Sequence, residues 1–243
     1  MVVLALDTTT RAGSVALVVD DRIVDERTGD AARSHAERLP AELLAVADAN
    51  GVRVTDVDVF AVASGPGSFT GLRIGIATIQ GLALVAQRRV VGISALDALA
   101  AVGRADARDG DLIAAWMDAH RRDVFGALYR VVPADSADRV VLATLDPASV
   151  DAPAALLNRW RQWLDRDDVR FIGDGAVAYR DAIAAASPRA RIVPPPLLAG
   201  AIGRLAAAHA RAGEAIDPGS MRPLYVRRPD AELARDNPRT TGQ

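Results

Sequence analysis

Residues 65–75 read Gly65-Pro66-Gly67-Ser68-Phe69-Thr70-Gly71-Leu72-Arg73-Ile74-Gly75, and what stands on either side of them decides how the chain folds. Ahead of this stretch, residues 58–64 are mostly apolar, which reads as a buried strand. Behind it, residues 71–87 (GLRIGIATIQGLALVAQ) contain no proline and no acidic residue, and read as a long helix. A strand that passes through a glycine-rich turn into a helix is half of a βα unit. The glycines permit positive φ and close backbone approach. Ser68 or Thr70 can cap the helix through a side-chain oxygen. Two readings of the loop follow. Gly65, Pro66, Gly67, Ser68, Thr70 and Gly71 either only turn the chain, or their amides at the helix start form a weak anion site.

Outward from this loop, residues 2–6, 14–20 and 22–28 read as a three-strand antiparallel meander with tight polar connections. Ser34-His35-Ala36-Glu37 is a capping-box pattern that opens a helix to about Ala49, closed by Asn50-Gly51. Pro40 lies too deep for the first turn, so a kink or an adjusted start is expected there. After the motif helix come a strand at 90–93 and a short helix at 95–103. The order then repeats. Residues 112–118 and 123–130 are strands, a third is expected near 139–143, and 154–164 is a helix with Trp160, Trp163 and Leu156 or Leu157 on one side. A strand at 169–172, a helix at 176–186, a short strand at 190–193 and a helix at 198–212 complete the second copy. Asp7 matches Asp118, Ala16 matches Ala127 and Leu17 matches Leu128, while Ser64-Gly65-Pro66-Gly67 stands where Ile172-Gly173-Asp174-Gly175 stands in the second copy. A duplicated unit of this order is the pattern of the α/β actin-like ATPase (ribonuclease H-like) superfold, two similar lobes each with a mixed sheet and helices. The lobes are placed at 1–104 and 105–213. The segment 214–243 is expected to dock through Pro223-Leu224-Tyr225-Val226 and to be mobile after Pro229.

Composition removes several chemistries. Among 243 residues there is no cysteine, and all 29 basic residues are arginine. Thiol nucleophiles, disulfides, cysteine-ligated zinc, Schiff-base lysines and a lysine-bearing phosphate loop are excluded. A net charge of -2 argues against a chain that binds nucleic acid by itself. No signal peptide and no membrane span are read, so a cytoplasmic location and no membrane partner are expected. His35, His120 and His209 are dispersed without metal spacing. His35 reads as a first-turn residue and His209 as half-buried in an alanine-rich helix.

The string GPGSFTGLRIG resembles the motif of the TsaB family, and the resemblance continues in ALDTTTRAGSVAL, SHAERLP, VVGISALDALA, DVFGALY and PLYVR. Residues 131–168 match it least. The resemblance implies an accessory subunit without a catalytic residue of its own. Such subunits act with a TsaD-type catalytic subunit and a TsaE-type ATPase to threonylcarbamoylate adenosine 37 in tRNAs reading codons that start with A. It implies a homodimer in isolation, tRNA contact only through the complex, and no cofactor. TsaD-type proteins carry a His-x-x-x-His metal pair after the same loop and helix. Ala95 and Leu99 occupy those places here, and neither can donate a lone pair, so no metal site is expected. The alternatives are an actin-like-fold small-molecule kinase or ATPase, a metallopeptidase-like protein, and a bare homodimeric interaction module. The kinase reading needs a glycine-rich second phosphate loop, whereas the turn 118–123 (Asp-Ala-His-Arg-Arg-Asp) has no glycine. Asp7 and Asp118 read as turn stabilisers.

The motif helix carries one narrow polar stripe, Arg73, Gln80 and Gln87, at seven-residue spacing. Leu72, Ile76, Ile79 and Ala83 form its bulkier face, assigned to the lobe's own sheet. Ile74, Ala77, Thr78 and Gly81 form a smaller face. Either the helix at 36–49 covers that face, or the two helices together, with Leu43 included, make the interface with a partner.

Overall fold

The computed structural model describes residues 1–133 and 142–227. The first sheet is built from β1 (Val2–Asp7), β2 (Ser14–Val19), β3 (Arg22–Thr28), β4 (Val59–Gly65) and β5 (Arg89–Ser94), with α1 (His35–Ala49), α2 (Phe69–Ala86) and α3 (Ala95–Gly103) between and after them. Its strand order is β3-β2-β1-β4-β5. The pairs among β1, β2 and β3 are antiparallel, and those among β1, β4 and β5 are parallel.

The second sheet comprises β6 (Leu112–Asp118), β7 (Val124–Val131), β8 (Leu142–Asp151), β9 (Val169–Ile172) and β10 (Arg191–Val193). Its order, β10-β9-β6-β7-β8, is the first sheet's order written again, with the same parallel and antiparallel pairs. The matched glycines confirm the repeat in detail. β4 and β9 each run into a glycine of positive φ, Gly65 at +126° and Gly173 at +121°, a conformation that side-chain-bearing residues rarely adopt. The duplicated mixed-sheet α/β architecture read from the order of elements is therefore present.

Three clusters of buried side chains fix the layers. Leu4, Leu6, Phe60 and Val62 on one face of the first sheet pack with Leu39 and Leu43 of α1 and Ile76 and Ile79 of α2. In the second lobe Trp116, Phe171 and Leu128 pack with Leu156, Trp160 and Leu164. These belong to α4 (Pro153–Arg159), the Trp160 junction and α5 (Arg161–Leu164). The Trp116 and Phe171 rings meet edge to face at 5.2 Å, a geometry the ring quadrupoles favour. Between the sheets lies a core shared by both lobes: Ala5, Ala61 and Ile93 from the first, Ile113, Ala115 and Ala127 from the second, with α3 and α8 (Ala199–Arg211) inside. Alanines face this middle layer because two sheets and two helices must approach closely there.

Several boundaries differ from the sequence reading. α8, last in sequence, rests on the first lobe's sheet, where Ser14 Oγ accepts from the Ala199 amide at 3.0 Å and Glu26 accepts from the Gly200 amide at 2.7 Å. Chain order alone placed it in the second lobe. The helix expected at 154–164 breaks at Trp160, and the one expected at 176–186 is two helices, α6 (Asp174–Ala178) and α7 (Arg180–Ala186), broken at Tyr179. The third strand expected near 139–143 is β8, eight residues longer at its far end, and residues 139–141 lie outside those described. β8 was hidden by Pro147, which the edge position tolerates because no further strand needs its amide. Pro40 lies inside α1, which continues through it. His209 is exposed and contacts Glu214 at 2.5 Å. α2 is long and apolar enough to cross a membrane by length and composition, but its bulkier face is packed against the first sheet. The expectation of mobility after Pro229 falls outside the described residues.

Candidate functional site

The motif loop is built around contacts too close for any side chain. A Cβ at Gly67 would stand 2.6 Å from the Thr9 Cβ, at Gly71 2.3 Å from the Thr8 carbonyl oxygen, and at Gly75 2.3 Å from the Thr8 hydroxyl. Four-residue spacing puts Gly71 and Gly75 on one face of α2, and Gly67 meets the same turn from just ahead of the Ser68 cap. These contacts lie on the turn between β1 and β2, so the start of α2 is pressed onto that turn. Ser68 is the cap, its Oγ accepting from the Gly71 amide at 3.2 Å. The Ser68 amide donates to the Thr9 carbonyl at 3.0 Å, and the Leu72 amide to the Ser68 carbonyl at 2.8 Å. Amides at 68, 71 and 72 are thus committed inside the protein, which favours the structural reading of the loop over the anion site. Gly65 and Pro66 are buried, while Ser68 and Thr70 are exposed.

The two hairpin turns are stabilised by their aspartates, as read from the sequence. Asp7 Oδ1 accepts from the Thr9 amide at 2.9 Å and the Thr9 hydroxyl at 2.7 Å. Burial pushes the Asp7 carboxyl up from its ordinary value, against the pull of these two bonds. Asp118 Oδ1 accepts from the His120 amide at 2.9 Å. The second turn lacks glycine yet keeps three successive left-handed residues, His120, Arg121 and Arg122, with φ of 55°, 55° and 67°. Such residues cost about 1–2 kcal/mol each. The turn stays strained because others hold it: Arg227 donates to the Ala119 carbonyl at 2.8 Å and to the Asp123 carboxylate.

Arg38 and the C-terminal segment were not singled out as site residues by their side chains. Arg38 is 1% exposed. It donates to the Ala12 carbonyl at 2.5 Å and pairs with Glu42 at 2.5 Å, bracing the first turn from α1. His35, at the first position of α1, is pushed down from the ordinary imidazole value by burial and then by the charge of Arg38. The only sequence signal for Arg38 was the string SHAERLP.

A cleft of about 1090 Å³ opens between the lobes, lined by Thr9, Arg11, Ser68, Phe69, His120 and Phe125 among others. On the far side of α2 a different surface is exposed. Ala77 and Gly81 are open, a Cβ at Gly81 would meet nothing within 4 Å, and Leu84 and Val85 are 63% and 80% exposed. Ile74 and Thr78 are half-buried. Leu72, Ile76, Ile79 and Ala83 are buried as the helix wheel required. Leu43 is a correction to the expected interface set: it is 0% exposed, inside the first lobe's core, because α1 turns that residue toward α2 and the sheet. The exposed apolar residue on α1 is its neighbour Leu44.

Residues 28–235 match the family model described as TsaD: tRNA N6-adenosine threonylcarbamoyltransferase. The tRNA threonylcarbamoyladenosine biosynthesis protein TsaB of Haemophilus influenzae is 30% identical over 74% of this chain and 74% of its own length. The chain belongs to the TsaB family. The Escherichia coli TsaB protein is 37% identical over 54% of this chain, and the match spans about half (55%) of that relative's length. A Pseudomonas aeruginosa structure described as similar to the peptidase YeaZ shares the fold with a TM-score of 0.77 and 29% identity, covering 93% of this chain and 99% of that one. A hexokinase of the ROK type from Thermus thermophilus shares the fold alone, at a TM-score of 0.50 and 13% identity over 88% of this chain and 100% of that one. The TsaB motif GPGSFTGLRIG is therefore, in this family member, the seam between the first hairpin turn and α2.

Proposed function

We propose that this chain is a non-catalytic subunit in tRNA threonylcarbamoyladenosine biosynthesis that docks a TsaD-type catalytic subunit through the exposed face of α2. The names of its TsaB relatives support the pathway. The observation that carries the docking role is the open apolar face of α2, where Ala77 and Gly81 let another backbone approach and Leu84 and Val85 stand in solvent. Small residues flanked by exposed large apolar ones suit a helix-on-helix contact. At α3, Ala95 and Leu99 are 0% and 2% exposed in the shared core, which supports a chain that holds no metal at the place of the TsaD histidines. A TsaE-type ATPase joins the assembly, tRNA is met through the complex, and the isolated chain pairs with itself through the same face. Its location is cytoplasmic. Motif residues Gly65, Pro66, Gly67, Ser68, Thr70 and Gly71 support the α2 start, and Ile74, Ala77, Thr78 and Gly81 belong to the contact.

Gly81→Arg tests the docking face. The arginine stands free in the isolated subunit but becomes an unpaired charge in the contact, at a cost of about 3 kcal/mol or more, which weakens association roughly a hundredfold. Light scattering of the variant mixed with a TsaD-type partner should show separate subunits, and circular dichroism at a concentration where the chain is monomeric a melting curve no lower than the parent's. Undiminished association places the contact elsewhere.

A further inference from the structure

Two of the three residues in the narrow polar stripe of α2, Arg73 and Gln80, are occupied by the C-terminal segment. Residues 216–227 run along the stripe as a strap that makes one 3-10 turn at Pro218–Ser220. Ile216 and Val90 exchange backbone bonds of 2.9 Å at the edge of β5. Gln80 donates to the Pro218 carbonyl at 2.6 Å and to the Met221 carbonyl at 3.4 Å. Met221 is 4% exposed and enters the first lobe's outer core beside Gly92. The Leu224 amide donates to the Ser64 carbonyl at 2.7 Å, at the end of β4. Arg73 donates to the Tyr225 hydroxyl at 3.0 Å and lies 4.0 Å over the Phe69 ring, while the Tyr225 ring stacks on Phe69 at 5.3 Å. Two residues later the chain has crossed to the other lobe. Arg227 holds the Ala119 carbonyl and the Asp123 carboxylate, the two ends of the strained second turn, and its guanidinium carbon is 5.8 Å from the Phe125 ring.

From this course we infer that residues 223–227 are an inter-lobe latch, anchored on the motif by Tyr225 and closed on the second hairpin turn by Arg227, which fixes the angle of the cleft. The base of the cleft is already joined by the shared core around α3 and α8. A tie across the mouth, away from that core, opposes any rocking of one lobe about it. Arg227 suits the role because a planar fork can hold a carbonyl and a carboxylate at once. The latch also explains how a turn of three left-handed side-chain-bearing residues persists, since both of its ends are held from the opposite lobe. The two-lobed fold is thereby kept in one shape without a ligand in the cleft. This inference does not depend on the proposed partner, because the isolated chain tests it.

The chain has no cysteine, so Ala32→Cys and Ala178→Cys place two spin labels alone, one on each lobe and both exposed. Pulsed dipolar spectroscopy on this pair, with the labelled chain diluted into unlabelled chain so that only distances within one chain are read, should give one narrow distance distribution. Arg227→Ala should broaden it and shift it to longer distances, and Asp123→Ala should do so to a smaller degree. Arg53→Ala, which removes a surface pair far along the first lobe, should leave it unchanged. A folded Arg227→Ala chain with the parent's distribution overturns the latch. If that variant does not fold, Asp123→Ala decides in the same way, a parent-like distribution overturning the inference and a broadened one supporting it.

Discussion

Two glycine-to-alanine changes on one helix should move stability in opposite directions. At Gly71 a new Cβ stands 2.3 Å from the Thr8 carbonyl oxygen, about 1 Å inside an ordinary contact. The obstacle is backbone, so no side chain can rotate away, and the start of α2 must lift from the β1–β2 turn. Overpacking of this kind costs about 1–3 kcal/mol, and the upper end applies where backbone meets a buried site. Alanine recovers up to about 1 kcal/mol of helix propensity over glycine. The net expectation for Gly71→Ala is a loss of about 2 kcal/mol. At Gly81 nothing lies within 4 Å, so only the propensity gain remains, about 0.5–1 kcal/mol. For a chain of this size 1 kcal/mol shifts Tm by roughly 2–4 °C. Gly71→Ala should therefore melt about 4–8 °C below the parent and Gly81→Ala about 1–4 °C above it, in calorimetry at low protein concentration where self-association is absent. A neutral Gly71→Ala would refute the reading of the motif as a seam between α2 and the hairpin turn, and a Gly81→Ala that melts early would refute the reading of that face as open.

Arg38→Ala should destabilise the fold by about 3 kcal/mol, since it strips the carbonyls of Arg11 and Ala12 and leaves Glu42 without its partner; urea denaturation with an unchanged m-value measures it, and a loss under about 1 kcal/mol contradicts the bracing role. Asp7→Asn keeps the acceptor for Thr9 while removing a charge whose folded pKa is raised by burial. For an acid raised on folding, ionisation works against the fold: the penalty is absent below the ordinary value of 3.8 and complete above the folded value. Asp7→Asn should therefore be more stable than the parent at pH 7, with the gap closing toward pH 4; a variant less stable at pH 7 shows that the carboxylate charge is needed.

Much of this fold was legible because repetition of order is robust to the details of each element. Strand–strand–strand–helix–strand, read twice, already contained the duplication of the sheet, and Gly65 and Gly173, which share a positive φ, stand in matching places of the two copies. The bulkier face of α2 was legible from the helix period alone. Three features resisted reading for separate physical reasons. β8 carries Pro147 at an edge, where the usual veto on proline in strands does not apply. α8 crosses to the other lobe's sheet, and local sequence holds no record of which sheet an amphipathic helix will choose. Leu43 was counted with the partner-facing residues, yet α1 turns it into the first lobe's core and leaves its neighbour Leu44 exposed. The polar stripe of α2 was seen, but its partners are carbonyls and a hydroxyl about 140–150 positions away in sequence, which pattern along the chain cannot reveal.

The central claim is that this chain enables tRNA modification without performing the chemistry. Reconstitution with a TsaD-type subunit, a TsaE-type ATPase, ATP, tRNA and the threonylcarbamoyl donor measures it directly, by counting threonylcarbamoyladenosine per tRNA with and without this chain. Modification should appear only when the chain is present, fall with Gly81→Arg in step with lost association, and be absent when the chain is incubated with tRNA and donor alone. Full modification in its absence, or turnover by the chain alone, would contradict the account.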